Sequence, residues 1–374
     1  MDVPTAAARI IEQAIADRAF PGAALELGRS TGDRAAGAYG CLTDEPDARA
    51  VTPQTIYDLA SLTKVISTAT LAMHAIEQGR LALDDRVADR LPEWRGGDRE
   101  DVTIADLLEH ASGLTAYLPF FRDYEGRSEF QRAIATMPLE DAPRTHSIYS
   151  DLGFILLGFI LEDVGGAPLA EQFQRVFHLK VEATNSRASR AEATTLRYRG
   201  FRLQAEDLCF NPPKALHDRI APTEVDPWRG RLLQGEAHDE NAWALGGAAG
   251  HAGLFGTAAA TGSFAAEILK GLRGAPNAIA PAPAIQRFAQ RSHVPQSSRA
   301  LAWDTMLPTS SCGAKMSPRA IGHTGFTGTS LWIDPELDLY VVLLTNRVYP
   351  TRDNDAIRPV RRAVHDAVVE GFDR

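Results

Sequence analysis

The chain has little of what marks a secreted miniprotein, a membrane span or a nucleic-acid binder. Three cysteines, Cys41, Cys209 and Cys312, stand in 374 residues without paired spacing. That excludes a disulfide framework and a Cys-x-x-Cys metal pattern. No run of about 18 apolar residues occurs, so no helical span is expected. The opening stretch MDVPTAAARIIEQAIADRAF carries charges among its apolar positions. It predicts an amphipathic helix rather than a signal peptide, and with it a cytoplasmic protein. Basic residues are outnumbered, 39 Lys and Arg against 48 Asp and Glu, for a net charge of −9. Such a field disfavours nucleic acid and anionic membranes as partners. No repeat or low-complexity tract is visible, no cofactor motif is present, and oligomeric state is not legible.

What is present is an ordinary globular composition, 44% hydrophobic and 23% charged, long enough for a two-part unit. Ile10, Ile11, Ala14 and Ile15 recur at helical spacing. GAALELGRSTGDRAAGAYG reads as a strand–turn–strand hairpin. A helix is expected from Ser61 to about Gly79, with Val65, Ala69, Ala72, Met73 and Ile76 on one stripe and Gly79 as its C-cap. From about Asp84 to Ala244 helical pieces such as TIADLLEHA and SDLGFILLGFILEDVGG dominate. Strands return in RALAWDTM, RAIGHTG and the hairpin TSLWIDPELDLYVVLLTNR, and Ile357, Val360, Val364 and Val368 mark a last helix. The expected fold is α/β (α+β): an antiparallel sheet built from both chain ends and flanked by helices. Residues 1–83 and 245–374 form that sheet domain. Residues 84–244 form an inserted all-helical domain, with the active site between the two.

Three short stretches carry chemistry. In DLASLTKVIS, Ser61 and Lys64 are three residues apart and share a helical face. A serine hydroxyl needs an adjacent base and a holder for the oxyanion. Ser61 at a helix N-terminus has free N–H groups beside it, and a buried Lys64 loses proton affinity and becomes a base. The structural alternative is an N-cap and a surface charge. In SIYSDLGFILLG, Tyr149 precedes an apolar helix with Asp151 two residues on. Its phenol near lysine would share the proton work, or else merely bond a loop carbonyl. In AIGHTGFTGTSLWID, His323, Thr324 and Gly325 end a strand. The strand edge offers N–H groups, and Gly325 permits close approach.

Taken in order, Ser-x-x-Lys, Tyr-x-Asp and His-Thr-Gly resemble the serine β-lactamase and penicillin-binding protein superfamily. The spacing resembles its class C-like branch, which also holds carboxylesterases and D-stereospecific peptidases. PQTIYDLASLTK, LLEHASGL and GHAGLFGTA add to the likeness, which spans about residues 5 to 370. The resemblance implies a β-lactamase/transpeptidase-like fold and a serine hydrolase working through an acyl-enzyme on a small ester, amide or peptide substrate. It implies Ser61 as nucleophile, Lys64 and Tyr149 as proton relay, and the N–H groups of Ser61 and Phe326 as oxyanion hole. His323 then steers a substrate carboxylate or tunes Tyr149. Asp151 replaces the usual asparagine: ionised, it favours the charged form of Lys64 and weakens it as a base, whereas burial that protonates it would undo this; His323 replaces the usual lysine. Both departures point toward an ester or amide hydrolase rather than an efficient β-lactamase. A slow-acylating penicillin-binding or sensor protein without turnover is the alternative.

The stretch Ile220–Phe255 is dense in charge. It reads as a substrate-selecting loop, with Trp228 as an apolar wall and Arg229 for a carboxylate, or as an internal salt-bridge network. GEAHDE within it lacks a second cluster at ligand spacing, so no metal is expected. GRSTG, Gly28 to Gly32, matches Gly-x-Ser-x-Gly, but its flanks read strand–turn–strand, which rejects Ser30 as the nucleophile.

Overall fold

The strand Leu339–Thr345, sequence LYVVLLT, is buried along its whole length. A run without polar alternation fits a strand covered on both faces, and both are covered here. The computed structural model describes residues 1–185 and 207–372. Positions 186–206, within the expected helical insert, lie outside the described residues.

In chain order the strands are β1 Gly22–Gly28, β2 Arg34–Gly40, β3 Ile56–Asp58, β4 Leu208–Phe210, β5 Val225–Asp226, β6 Arg231–Leu232, β7 Leu254–Thr257, β8 Asp304–Thr305, β9 Ile321–Thr324, β10 Ser330–Asp334 and β11 Leu339–Thr345. The main sheet has six strands in the order β2-β1-β11-β10-β9-β8, with every pairing antiparallel. Sequence-distant ends thus meet at its centre, Ala23 opposite Thr345 and Gly28 opposite Tyr340. Period-two alternation splits the core. Leu25, Leu27, Val341 and Leu343 pack with Ile11, Val364 and Val368 of the terminal helices Thr5–Ala16 and Ile357–Phe372. Ala24, Val342 and Leu344 face the larger core with Phe264 of the helix Ala258–Leu272.

The helices between β3 and β4 pack around the helix Asp151–Gly165, whose residues from Leu152 to Leu161 are all buried. Ser150 caps it, accepting the Gly153 N–H at 3.2 Å, and Gly166 ends it at φ 65°. Gly158 crosses the Gly-rich run at Gly250 so closely that a Cβ there would lie 3.0 Å from the Gly250 nitrogen. That crossing carries the 250–254 backbone up to the Ser61 region.

The expected all-helical span 84–244 is corrected by this structure. β4 pairs with β7, β5 pairs with β6, and Ile220 bridges Ile56. The 207–244 stretch therefore contains strands: Leu208–Phe210 completes a three-stranded sheet with β3 and β7, and Val225–Asp226 pairs with Arg231–Leu232. Three apolar residues such as LCF carry no period, and their partner is some 45 positions away, so the strand was not readable locally. The expected helix from Ser61 to about Gly79 is present: Ser61 sits in the turn that opens it, helical residues run from Leu62 to Glu77, and Lys64–Thr68 among them form a π-helical turn. Among the described residues no single helix is long and apolar enough to cross a membrane.

Candidate active site

β3 delivers the chain into a strained corner. Ala60 has φ 46°, a conformation that costs a non-glycine residue energy and is kept only when its surroundings fix it. Asp58 does the fixing. Its carboxylate accepts the Ala60 N–H at 2.8 Å and, from the far side, the His238 N–H at 2.7 Å. Asp58 is pushed up by burial, which the two N–H bonds only partly offset. Ser61 follows directly. The Lys64 N–H closes back on its carbonyl at 3.1 Å, and the π turn beginning at Lys64 aims the lysine inward.

Lys64 has no solvent exposure. Its Nζ lies 3.0 Å from Ser61 Oγ, 3.0 Å from the His251 carbonyl oxygen and 2.6 Å from Asp151 Oδ1. An ammonium has three N–H donors; two go to Ser61 Oγ and the His251 carbonyl, and Asp151 Oδ1 stands beside Nζ as an ion-pair partner rather than a hydrogen-bond acceptor. Burial alone would lower the Lys64 pKa, as the sequence reading expected. The Asp151 charge, and after it Tyr149, outweigh burial and hold it above the usual lysine value. Lys64 therefore rests as an ammonium, the charged form that an ionised Asp151 favours.

Tyr149 lies beside this group, its ring centroid 5.0 Å from Lys64 Nζ. Burial raises its pKa, and the opposing pull of Lys64 does not restore it. The resting group is a phenol. His110 stacks on it at 4.6 Å between ring centroids, and His323 approaches at 5.7 Å. His110 Nδ1 accepts the Ser150 N–H at 2.9 Å, so its proton is on Nε2. His323 Nδ1 lies 2.8 Å from the Thr324 carbonyl oxygen, which can only accept. Its proton is on Nδ1, and Nε2 presents a bare lone pair. Both are pushed well below the usual histidine range, first by burial; Arg299 leads the charges acting on His110, and Lys64 those acting on His323. A neutral ring with a bare Nε2 does not hold a carboxylate, so the steering role expected of His323 is corrected; tuning of Tyr149 stays open to it.

The turn after β9 is stapled to the Ser61 corner. Thr327 and Thr329 donate their hydroxyls to the Asp58 and Leu59 carbonyls at 2.7 and 3.0 Å. A Cβ on Gly325 would lie 2.5 Å from Leu59 O, so only glycine fits this approach. The staple brings Phe326 to the corner and leaves the N–H groups of Ser61 and Phe326 without an acceptor among the described residues.

The 220–255 loop resolves differently from its substrate-selecting reading. The Arg229 side chain is 2% exposed and pairs with Asp226 at 2.5 Å. Its remaining donors go to Ala237 O and His238 O at 2.8 and 2.6 Å. It pins the loop, and at 2% exposure it is closed off from a substrate carboxylate. Trp228 is half-exposed and packs edge-on to Phe121 and Trp243; no contact joins it to Ser61. His238 lies 2.9 Å from Glu224, which Arg352 also binds while reaching Glu240. Burial would raise Glu224, but His238 and Arg352 hold it down at about 2. No group of three or more His, Cys, Asp or Glu among the described residues could hold a metal ion. Ser30 stands in the β1–β2 turn, its N–H on Asp338.

Sequence reading missed Asp58 and Arg299 and gave His110 no role. His110 left one trace, its place in LLEHASGL; its φ of 58° appears only in the fold. Arg299 is one arginine among many and left none.

A family model described as Beta-lactamase matches residues 7–366. A putative D-alanyl-D-alanine carboxypeptidase of Escherichia coli (strain K12) is 29% identical over 318 residues, covering 79% of this chain and 70% of that protein. Among solved structures, a class C beta lactamase from Rhodobacter sphaeroides superposes with a TM-score of 0.72 at 20% identity, covering 99% of each chain. EstCE1, a hydrolase with promiscuous acyltransferase activity, superposes with a TM-score of 0.70 at 21% identity, covering 97% of each chain.

Proposed function

The chain belongs to the beta-lactamase family of serine hydrolases, and on that premise we propose that it works through an acyl-enzyme on Ser61, taking the acyl group from an ester or amide. The observation that carries this reading is the 3.0 Å contact of Lys64 Nζ with Ser61 Oγ on a wholly buried lysine. A merely structural ammonium would be content with Asp151 and a carbonyl; a serine hydroxyl in the same shell supports a proton relay.

Because Lys64 rests as an ammonium, the acceptor of the first proton is Asp151. Ser61 Oγ gives its proton to Lys64 as Lys64 passes one of its own to Asp151, and Oγ bonds the substrate carbonyl carbon. The N–H groups of Ser61 and Phe326 stabilise the oxyanion. The proton returns through Lys64 and Tyr149 to the leaving alkoxide or amine as its bond to carbon breaks. Water then adds to the acyl-enzyme by the same relay, releasing the acid and restoring Ser61.

Asp151 offers no amide donor to an acylamino side chain, and neutral His323 offers no charge, which favours simple esters over β-lactams. The test is a panel of short-chain nitrophenyl esters, a D-alanyl-D-alanine peptide and a chromogenic cephalosporin under excess substrate. Steady turnover of an ester or the peptide, lost in Ser61→Ala and kept in Ser30→Ala, is expected. A single burst without turnover supports the penicillin-binding or sensor alternative, and turnover of the cephalosporin alone contradicts the reading.

A further inference from the structure

Resting on the serine-hydrolase reading, we propose that Asp239 and His251 are positioning residues for Lys64: the bond between their side chains holds the His251 carbonyl against the lysine ammonium and so fixes where Nζ meets Ser61. Neither residue has a part in the proton relay. His251 Nε2 lies 2.8 Å from Asp239 Oδ1, with the His251 side chain 1% and the Asp239 side chain 22% exposed. A carboxylate only accepts, so the His251 proton is on Nε2. The carbonyl of the same residue accepts from Lys64 Nζ at 3.0 Å. The Asp239 bond is thus one residue removed from the lysine amine.

The sequence around His251 shows why its side chain is needed. In GGAAGHAG, Gly246 to Gly253, every other residue is glycine or alanine, so His251 alone has a side chain that can make a polar bond. Gly246, Gly247 and Gly253 sit at φ 86°, 82° and 107°, and glycine gives the backbone little stiffness of its own. The run is fastened on either side of the carbonyl. Thr68 Oγ1 donates to Gly250 O at 2.6 Å, and the Leu254 N–H donates to Thr63 Oγ1 at 3.1 Å. Those bonds hold the run on the core. Apart from Lys64, the ring bond to Asp239 is what ties the His251 residue itself among the described residues.

Asp239 comes from a segment that gathers the supports of the site. The His238 N–H is held by Asp58, which also fixes Ala60. Asp239 caps the helix Glu240–Ala244 by accepting the Ala242 N–H at 2.7 Å. Asn241 accepts the Phe121 N–H at 3.0 Å and donates to Leu118 O at 2.8 Å. Ala116 O, in the same loop, accepts the Asp151 N–H at 2.9 Å. Ser61, Lys64 and Asp151 are therefore all referred to residues 238–241. Asp239 also feels the lysine: burial would raise its pKa, but His251 foremost, with Lys64 among the other groups, holds it below the usual carboxylate range. A role as a second proton relay is less apt, because His251 Nδ1 is buried without a partner among the described residues and has nowhere to pass a proton.

The test measures nitrophenyl acetate turnover and the nitrogen-15 signal of the Lys64 ammonium, one of five lysines in the chain. The proteins compared are wild type, His251→Ala, Asp239→Ser, the double variant and His251→Gln. Serine keeps a cap for the helix but stops short of the imidazole, and glutamine carries an N–H that can still reach Asp239. His251→Ala and Asp239→Ser are each expected to lower kcat by roughly tenfold with KM held within about twofold, and the double variant to fall no further than either. His251→Gln is expected to recover part of kcat. The Lys64 signal is expected to shift in the first three variants and to stay near its wild-type place in His251→Gln. Losses that multiply in the double variant overturn the proposal, as does an unmoved lysine signal or a His251→Gln no better than His251→Ala. If His251→Ala does not fold, Asp239→Ser decides by the same two readouts. A wild type that turns over no nitrophenyl acetate sinks the hydrolase reading, and the lysine signal then still tests the positioning.

Discussion

Lys64 and Asp151 form an ion pair, 2.6 Å from Nζ to Oδ1, in which the lysine is fully buried and the carboxylate side chain 18% exposed. The same Nζ touches Ser61 Oγ at 3.0 Å. The pair that stabilises the lysine's charge therefore also occupies the place of the catalytic base, and a proton leaves Ser61 only as another passes on to Asp151.

Asp151→Asn separates these roles. The asparagine keeps the shape but removes the charge that holds Lys64 up, and burial then drives Lys64 down. In wild type the ammonium persists through neutral pH and is lost only as pH rises beyond the ordinary value of 10.5. In the variant the neutral amine must serve as base. We expect kcat/KM at pH 7 to fall by roughly 100-fold and to rise with pH across the neutral range. Profiles of kcat/KM against pH check this; an unaltered profile contradicts it.

Acid stability is set in part by the neutral histidines. His110 and His323 lie well below their ordinary value of 6.5, and His365 lies at about 3. Burial is the leading cause for each. A depressed value means that the unfolded chain takes up protons that the folded chain refuses. Their contribution is complete above about pH 6.5 and is lost as pH falls through that value toward the folded ones. Each is expected to cost about 1 kcal/mol per pH unit in that window. Urea melts at pH 8, 6 and 5 check the slope, and His365→Gln should flatten it.

Arg229→Met should act on stability. The Arg229 and Asp226 side chains are 2% and 0% exposed, and removing one partner of such a pair costs about 3–5 kcal/mol. Urea denaturation should show that loss. A raised KM with unchanged stability would instead restore the carboxylate-binding role.

Asp58→Ala should misplace the nucleophile. It frees the Ala60 and His238 N–H groups that one carboxylate gathers at 2.8 and 2.7 Å. A shift of about 1 Å in a reacting group costs on the order of 100-fold, so kcat should fall by roughly that factor with little change in KM. The ratio of the two parameters on a nitrophenyl ester checks this.

Much of this was legible in the chain because the information is local. Ser61 and Lys64 are one turn apart, Tyr149 precedes an unmistakable apolar helix, and TSLWIDPELDLYVVLLTNR reads as two strands around a turn. The rest depends on contacts that local patterns do not encode. The protonation of Lys64 was left open because burial and Asp151 act in opposite directions, and only a distance decides between them. β4 was missed because its pairing with β7 is long-range. Arg229 and Arg299 look alike as letters; the fold surrounds one with acceptors and leaves the other facing Tyr149.

The most direct test of the central claim is intact-protein and peptide mass spectrometry after brief reaction with a slow-leaving nitrophenyl ester or a fluorophosphonate. One adduct per chain on Ser61, absent from Ser61→Gly together with all turnover, is the expected result. A label elsewhere, with catalysis intact in Ser61→Gly, would contradict the account.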